Sequence, residues 1–358
     1  MNTQSKLATA YSNYRTTVLL LGVGHGLSDA AAGYLIGSLS QNSSFVQIGS
    51  AVLLYNALAF GGQLPAGIWL DRIGHYRKPA VLSLLGMVIA LGLLSVQVMW
   101  VAIALAGLSS AVFHVAGGAT TLVCFPDKSR FVGLFSAFGV MGLAMGGWAG
   151  AMQYAWVSYA LIVSMSALVL LIIRAKFPLA RRKVPETVNS ALDRHDYLMI
   201  VLLMAIALRS AIWNSLQLLY DQQYDWLLYM ALAAMVGKLI GGWIADRVPW
   251  KTYAIMALTI AIPALSWGYR QLFWLMLGTG LLQSLTPLSV IALQRIVPDR
   301  PAAVSGVAFG LAIAVGGLFL FAPFVADGFL GSQFLLAGVL TVGLYYASLR
   351  RFKLPSNH

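Results

Sequence analysis

The sequence predicts an all-α integral membrane protein of twelve transmembrane helices, arranged as two pseudo-symmetric six-helix bundles. Three observations carry this. Of 358 residues, 59% are hydrophobic and only 9% charged, whereas a soluble domain carries about a quarter charged residues. The apolar residues recur in runs of about 18–24 along the whole chain, the length at which a helix crosses a bilayer. A glycine-rich stretch closing in Asp-Arg occurs twice, at Asp71-Arg72 and Asp246-Arg247, 175 residues apart and so about half a chain.

The first run, 16–39, contains "VLLLGVGHGLSDAAAGYLIGSL". It is too long for a signal peptide, carries charge and lacks a small-residue cleavage pattern. Runs at 46–70, 79–97, 99–122, 131–153 and 155–174 follow, joined by very short connections. The longest connection, "RAKFPLARRKVPETVNSALDRHD" at 174–196, closes this first set of six. The second set reads 197–219, 224–245, 251–267, 271–293, 302–325 and 331–349. The predicted organisation is an N-terminal bundle over 1–174, a cytoplasmic linker over 175–196 and a C-terminal bundle over 197–358.

Charge tests the span count. With the N-terminus inside, the inner segments hold 20 of the 23 Lys and Arg residues. Only Arg270 falls in an outer loop, and Arg209 and Lys238 lie within spans. Positive residues concentrate on the cytoplasmic side of membrane proteins, so both termini are expected in the cytoplasm of a bacterial inner membrane. The net charge of +12 then reflects topology and some affinity for anionic lipid, and does not point to nucleic acid. The single cysteine, Cys124, excludes an internal disulfide. There is no Cys/His metal spacing and no nucleotide-binding Gly-x-x-x-x-Gly-Lys-Ser/Thr, so no cofactor is expected beyond a proton gradient as driving force.

The two halves repeat in detail. With Asp71-Arg72 aligned on Asp246-Arg247, Gly62, Leu64 and Gly67 match Gly237, Leu239 and Gly242. Internal duplication of a six-helix unit is the architecture of many secondary transporters, which handle substrate near the midplane between the halves. A small-residue helix end lets a neighbouring helix approach, and its Asp can accept from a helix N-terminus. Such a contact can form in one conformation and break in another, as a latch; the plainer reading is a charged helix stop.

"GIWLDRIGHYRK" resembles the loop 2–3 signature of the major facilitator superfamily, Gly-x-x-x-Asp-Arg-x-Gly followed by basic residues. Gly67, Asp71, Arg72, Gly74, Arg77 and Lys78 fit it, while His75 and Tyr76 stand where basic residues are usual. In the second copy Pro249 lies near the position of the glycine. Within the superfamily the chain is most similar to the fosmidomycin-resistance efflux branch. "HGLSDAAAGYL", "GLSSAVFHVAGGA", "LRSAIWNSLQLLY" and the join "PLSVIALQRIVPDRPAAVSGVAFGLAIAVGG" carry that likeness. The resemblance implies the major facilitator fold and proton-coupled export of a small organic compound by alternating access. Span 5 has the glycines of the antiporter motif (Gly139, Gly142, Gly146, Gly147 and Gly150) but lacks its usual proline, which leaves an importer as the rival reading. A polytopic sensor or membrane enzyme on the same scaffold would need an extra domain or catalytic cluster.

Charges inside spans cost about 2.5–3.5 kcal/mol each on insertion scales and need a reason. Asp29 is the one acid well inside a span, and His25 stands one helical turn before it. Asp29 either gains and loses a proton or serves as a buried acceptor between helices. His25 and His114 are candidates for proton relay or for plain packing. Arg209, near the middle of span 7, is expected to balance Asp29, to receive an anionic substrate group, or to form a structural ion pair. Lys238 lies about 12 Å from its helix end and is expected to snorkel there or to act as a latch of the gate, rather than to meet substrate. Tyr34, Trp213, Asn214 and Gln217 are substrate-site candidates, with Tyr55, Asn56, Gln63 and Gln283 as further polar residues at that depth. Gly67, Asp71, Arg72, Gly74, Arg77, Lys238, Asp246 and Arg247 are the expected gate. The substrate is a small molecule, anionic or zwitterionic if Arg209 meets it, and the protein is expected to act as a monomer.

Overall fold

The chain was examined as a computed structural model, which describes residues 3–39, 44–95, 98–178, 194–220, 223–318, 330–350 and 352. The predicted linker at 175–196 falls largely outside them. With no water in the bilayer core to satisfy backbone groups, apolar runs of this length must be helical, and the spans form in the predicted order. They are α1 (Thr3–Gly37), α2 (Phe45–Asn56, Ala57–Gly61 and Gln63–Ile73), α3 (Arg77–Ser95), α4 (Met99–Cys124), α5 (Ser129–Ala151) and α6 (Ala155–Arg174). The second bundle contains α7 (Arg194–Leu219), α8 (Tyr224–Ala245), α9 (Trp250–Gly268), α10 (Leu272–Ser284 and Thr286–Ile296), α11 (Pro301–Gly306, Val307–Leu311 and Ala312–Leu318) and α12 (Leu330–Leu349). Among the described residues, ten of the twelve are long and apolar enough to span a membrane by length and composition alone; α9 and α11 complete the two sets of six.

α1 begins well before the apolar run predicted at 16, because nothing in its polar first turns breaks the helix. Packing between α1 and α5 explains the glycines of span 5. A Cβ on Gly142 would strike the Gly26 carbonyl, and one on Gly146 the Ala30 carbonyl. These glycines bring two backbones together, as small residues do where membrane helices cross closely.

Two spans depart from α-helix in mid-course. α2 widens into a π-helical turn at Ala57–Gly61 and α11 into another at Val307–Leu311. The two turns face each other across the bundle interface, where a Cβ on Gly310 would lie 2.6 Å from the Phe60 carbonyl. Gln63 is fully buried beside them, and its amide donates to the Ala59 carbonyl at 2.9 Å. That bond serves a carbonyl in a turn whose regular ladder has been disturbed.

Candidate functional site: a His-Asp-His cluster above paired carboxylate caps

The two Asp-Arg copies do equivalent work. At the end of α2, Asp71 accepts the backbone N–H of Ala302 at Oδ1 (2.9 Å) and of Ala303 at Oδ2 (2.8 Å), in the first turn of α11. At the end of α8, Asp246 accepts the N–H of Ser129 at 2.6 Å, in the first turn of α5, and lies 3.7 Å from the Arg130 guanidinium. Each carboxylate therefore caps a helix of the opposite bundle, where free N–H groups and the positive end of the helix dipole favour an anion. The repeat-matched glycines permit the approach: a Cβ on Gly67 would lie 2.8 Å from the Ala302 carbonyl carbon, and one on Gly242 would lie 2.8 Å from the Ser129 carbonyl oxygen.

Gly74 ends α2 in the left-handed region, at φ 70°, which only glycine enters without strain. Tyr76, which departs from the motif, is buried and donates its hydroxyl to Asp71 Oδ1 at 3.3 Å. Burial, reinforced by the Asp71 charge, pushes the Tyr76 phenol above its ordinary range, so it remains a donor. Arg77 reaches the Ile173 carbonyl, and Arg247 lies over the Trp243 ring while donating to the Trp243 carbonyl. Arg72 is exposed at the same face.

About ten residues deeper, α1, α4 and α5 bring three predicted residues together. His25 and His114 approach Nε2 to Nε2 at 2.8 Å, and their rings meet edge to face. Asp29 lies 3.2 Å from His25 Nε2 and 3.6 Å from His114 Nε2. The other nitrogen of each ring is tied to backbone: His25 Nδ1 to the Phe135 carbonyl at 2.9 Å, and His114 Nδ1 to the Ser110 carbonyl at 2.8 Å. His25 also stacks on Phe135, and Tyr55 donates to the Ser110 hydroxyl at 3.2 Å. All three members are buried, with Asp29 the most open at 8%. Two imidazoles and a carboxylate are by type a metal-ligand set, and their ligand atoms lie within 4.8 Å of one another. Two nitrogens bound to one tetrahedral ion at 2.0–2.1 Å would stand about 3.3 Å apart, farther than the 2.8 Å found here.

Lys238 and Arg209 sit on the facing side, and for each the geometry departs from one of the alternatives read from sequence. Lys238 does not snorkel to the α8 end; its ammonium crosses to the Ser136 carbonyl of α5 at 3.2 Å and interacts with both Asp29 and Arg209. Position along α8 set the expectation, whereas the ammonium finds a carbonyl acceptor across on α5. Gln63 in α2, the repeat equivalent of Lys238, lies likewise at a bundle interface, against α11. Arg209 does not pair with Asp29. It is 3% exposed, donates to Gln283 Oε1 at 3.0 Å, and leaves its Nε without a partner among the described residues.

The remaining candidates scatter around this core. Asn214 reaches the Ile313 carbonyl just past the π turn of α11 at 3.5 Å, whereas Trp213 and Gln217 are half-buried on α7. Tyr34 is buried against α5, its carbonyl facing Gly150. Sequence reasoning missed Tyr76, the Phe135 and Ser136 carbonyls, and Ser305, whose hydroxyl reaches from α11 to the His114 carbonyl at 3.3 Å. A Ser one helical turn before His114 was the one readable signal, for Ser110.

Comparison with known proteins agrees with this architecture. Residues 18–320 match the family model of the Major Facilitator Superfamily. The fold is similar to the Escherichia coli fucose:proton symporter FucP (TM-score 0.70, 14% identity, 95% of this chain and 97% of that one). It is similar also to FucP in the outward conformation (0.71, 14%, 95% and 97%) and to the human organic anion transporter MFSD10 (0.68, 14%, 94% and 99%). No curated protein sequence matches the chain. The match over most of the chain and the twelve-span fold make this protein a member of the Major Facilitator Superfamily, a membrane transporter of small molecules and not an enzyme.

Proposed function

We propose that the protein is a proton-coupled exporter of a small organic anion or zwitterion, working by alternating access between its two bundles. The observation that carries this is the juxtaposition of the buried His-Asp-His cluster with the half-buried Lys238 and the buried Arg209. His25, Asp29 and His114 belong to one bundle, Arg209 to the other, and Lys238 bridges them. Buried ionisable groups at mid-span are expensive and mark ion or substrate paths. Arg209 has a neutral partner and, among the described residues, a free Nε, which suits it to an anionic substrate group. Asn214, Gln217, Trp213 and Tyr34 are the neighbours we assign to the rest of that substrate.

The Asp71 and Asp246 caps, with Gly67, Gly74, Arg72, Arg77 and Arg247 around them, form the gate of this reading. Both are engaged, so the basic face is closed; by the charge rule this face is cytoplasmic, in a bacterial inner membrane with both termini inside. Proton coupling and anion transport each have a counterpart among structural neighbours, in the fucose:proton symporter and the organic anion transporter. Export rests on the likeness of spans 1, 4, 7 and 10–11 to the fosmidomycin-resistance branch. Import by symport is the second reading, favoured by the missing proline of α5.

Everted membrane vesicles energised with an inside-acid pH gradient test the proposal, with labelled fosmidomycin and a panel of small monocarboxylates as probes. Export predicts accumulation that collapses with the gradient. Uptake only in right-side-out vesicles would establish import.

A further inference from the structure

The hydrogen-bond pattern of the His-Asp-His cluster locates its proton. A backbone carbonyl can only accept, so the Phe135 contact puts a hydrogen on His25 Nδ1. His114 Nδ1 faces the Ser110 carbonyl at 2.8 Å and the Ser110 hydroxyl at 3.3 Å, and the shorter contact, closed to a bare lone pair, puts a hydrogen there too. A neutral imidazole carries one N–H, so in two neutral rings both Nε2 atoms present lone pairs. Those lone pairs would then face each other across 2.8 Å, with the Asp29 carboxylate, a further acceptor, 3.2 Å away. Protonating Asp29 would not relieve this, because its proton would serve one ring and leave the N···N contact unpaired.

We infer that the cluster holds one extra proton between His25 Nε2 and His114 Nε2, as an N–H of one ring donated to the other, with Asp29 as its permanent counter-ion. The carrier is the imidazole pair; Asp29 is a positioning residue. This refines the coupling site of the function proposed above. The proton balance is simple: one proton enters, one ring becomes imidazolium, and the pair with Asp29 becomes neutral overall.

The surroundings on each packed element are consistent with a single proton. α2 contributes the Tyr55 hydroxyl, whose bond to Ser110 supports the His114 side. α5 contributes carbonyls from Phe135 and Ser136. α8 contributes the Lys238 ammonium, which opposes a second added charge at His114, with Arg209 of α7 beyond it. α11 contributes Ser305, on the His114 backbone. Lys238 and Ser305 come from the opposite bundle, so separation of the bundles changes the field on the proton while both rings stay in place.

The test is nitrogen spectroscopy of the full-length protein labelled with ¹⁵N-histidine in lipid nanodiscs at neutral pH. Of five histidines, two should show Nδ1–H. These two should share one far-downfield Nε2 proton, and the sharing should be lost in His114→Gln and in His25→Gln. Asp29→Asn should leave the two rings assigned as Nδ1–H but abolish or weaken the shared proton. The proposal is overturned if both Nε2 atoms are bare in the wild type, if either ring is a neutral Nε2–H tautomer, or if elemental analysis finds one transition-metal ion per chain whose removal by EDTA alters both rings. The wild-type spectrum decides even if a variant fails to fold. Proton-driven transport measured in parallel separates the two claims. Transport that needs the gradient without a shared proton sinks only this inference; a shared proton with gradient-independent transport sinks only the proposed coupling.

Discussion

Asp71 and Asp246 stand in equivalent places of the two bundles, and each caps the first turn of a helix in the other. The two bundles are thus joined at this face by two carboxylate-to-helix contacts of the same kind, related by the repeat, which the proposed function makes the gate. Helix capping of this sort contributes about 0.5–2 kcal/mol, and 1.4 kcal/mol is a factor of ten in an equilibrium.

Asp71→Ala and Asp246→Ala should each shift the bundles about tenfold toward opening of the basic face, and the double variant further still. Spin labels at Lys78 and Thr252, exposed residues outside the gate placed in a Cys124→Ser background, report this as a longer-distance population. Unchanged distances in the double variant would mean that the caps do not hold the gate.

Tyr76→Phe removes one hydrogen bond to the Asp71 carboxylate, a long one at 3.3 Å, and leaves the backbone bonds of the cap intact. A bond of that kind is worth about 1 kcal/mol, so the same distance measurement should show a smaller shift than Asp71→Ala.

Gly139→Ala should disrupt the cluster, because its Cβ would strike His25 Nε2 and lie 2.7 Å from Asp29 Oδ2. Overpacking of this kind costs about 1–3 kcal/mol. The control is Gly147→Ala on the same helix, where the nearest atom is 3.9 Å away. Loss of proton-driven transport in the first and retention in the second is the expected pair of results.

Arg209→Gln should weaken binding of an anionic probe by about 2 kcal/mol or more, roughly thirtyfold in Kd. Arg209→Lys should fall between, because the charge remains and the planar fork is lost. Equal loss for an uncharged probe would assign Arg209 to structure.

Legibility in the sequence followed range. Span number, the repeat and the basic face depend on composition and short periodicities, and the His25–Asp29 pair is one turn of one helix. Tyr76 was readable only as a departure from a motif, since its value lies in what it touches. The meeting of His25 with His114, 89 residues on, depends on how α1 crosses α4, which no local pattern encodes. Arg209 shows the same limit from the other side: its charge suggested an acid partner, whereas packing gave it Gln283. For Lys238, helix position alone favoured snorkelling to the nearest interface, whereas its ammonium reaches α5 of the other bundle, a contact compatible with a latch.

Proton-gradient-driven transport in proteoliposomes, comparing wild type with Asp29→Asn, tests the central claim most directly. The account predicts accumulation driven by the gradient in the wild type and its loss in the variant, with probe binding retained. Full gradient dependence in Asp29→Asn would contradict it.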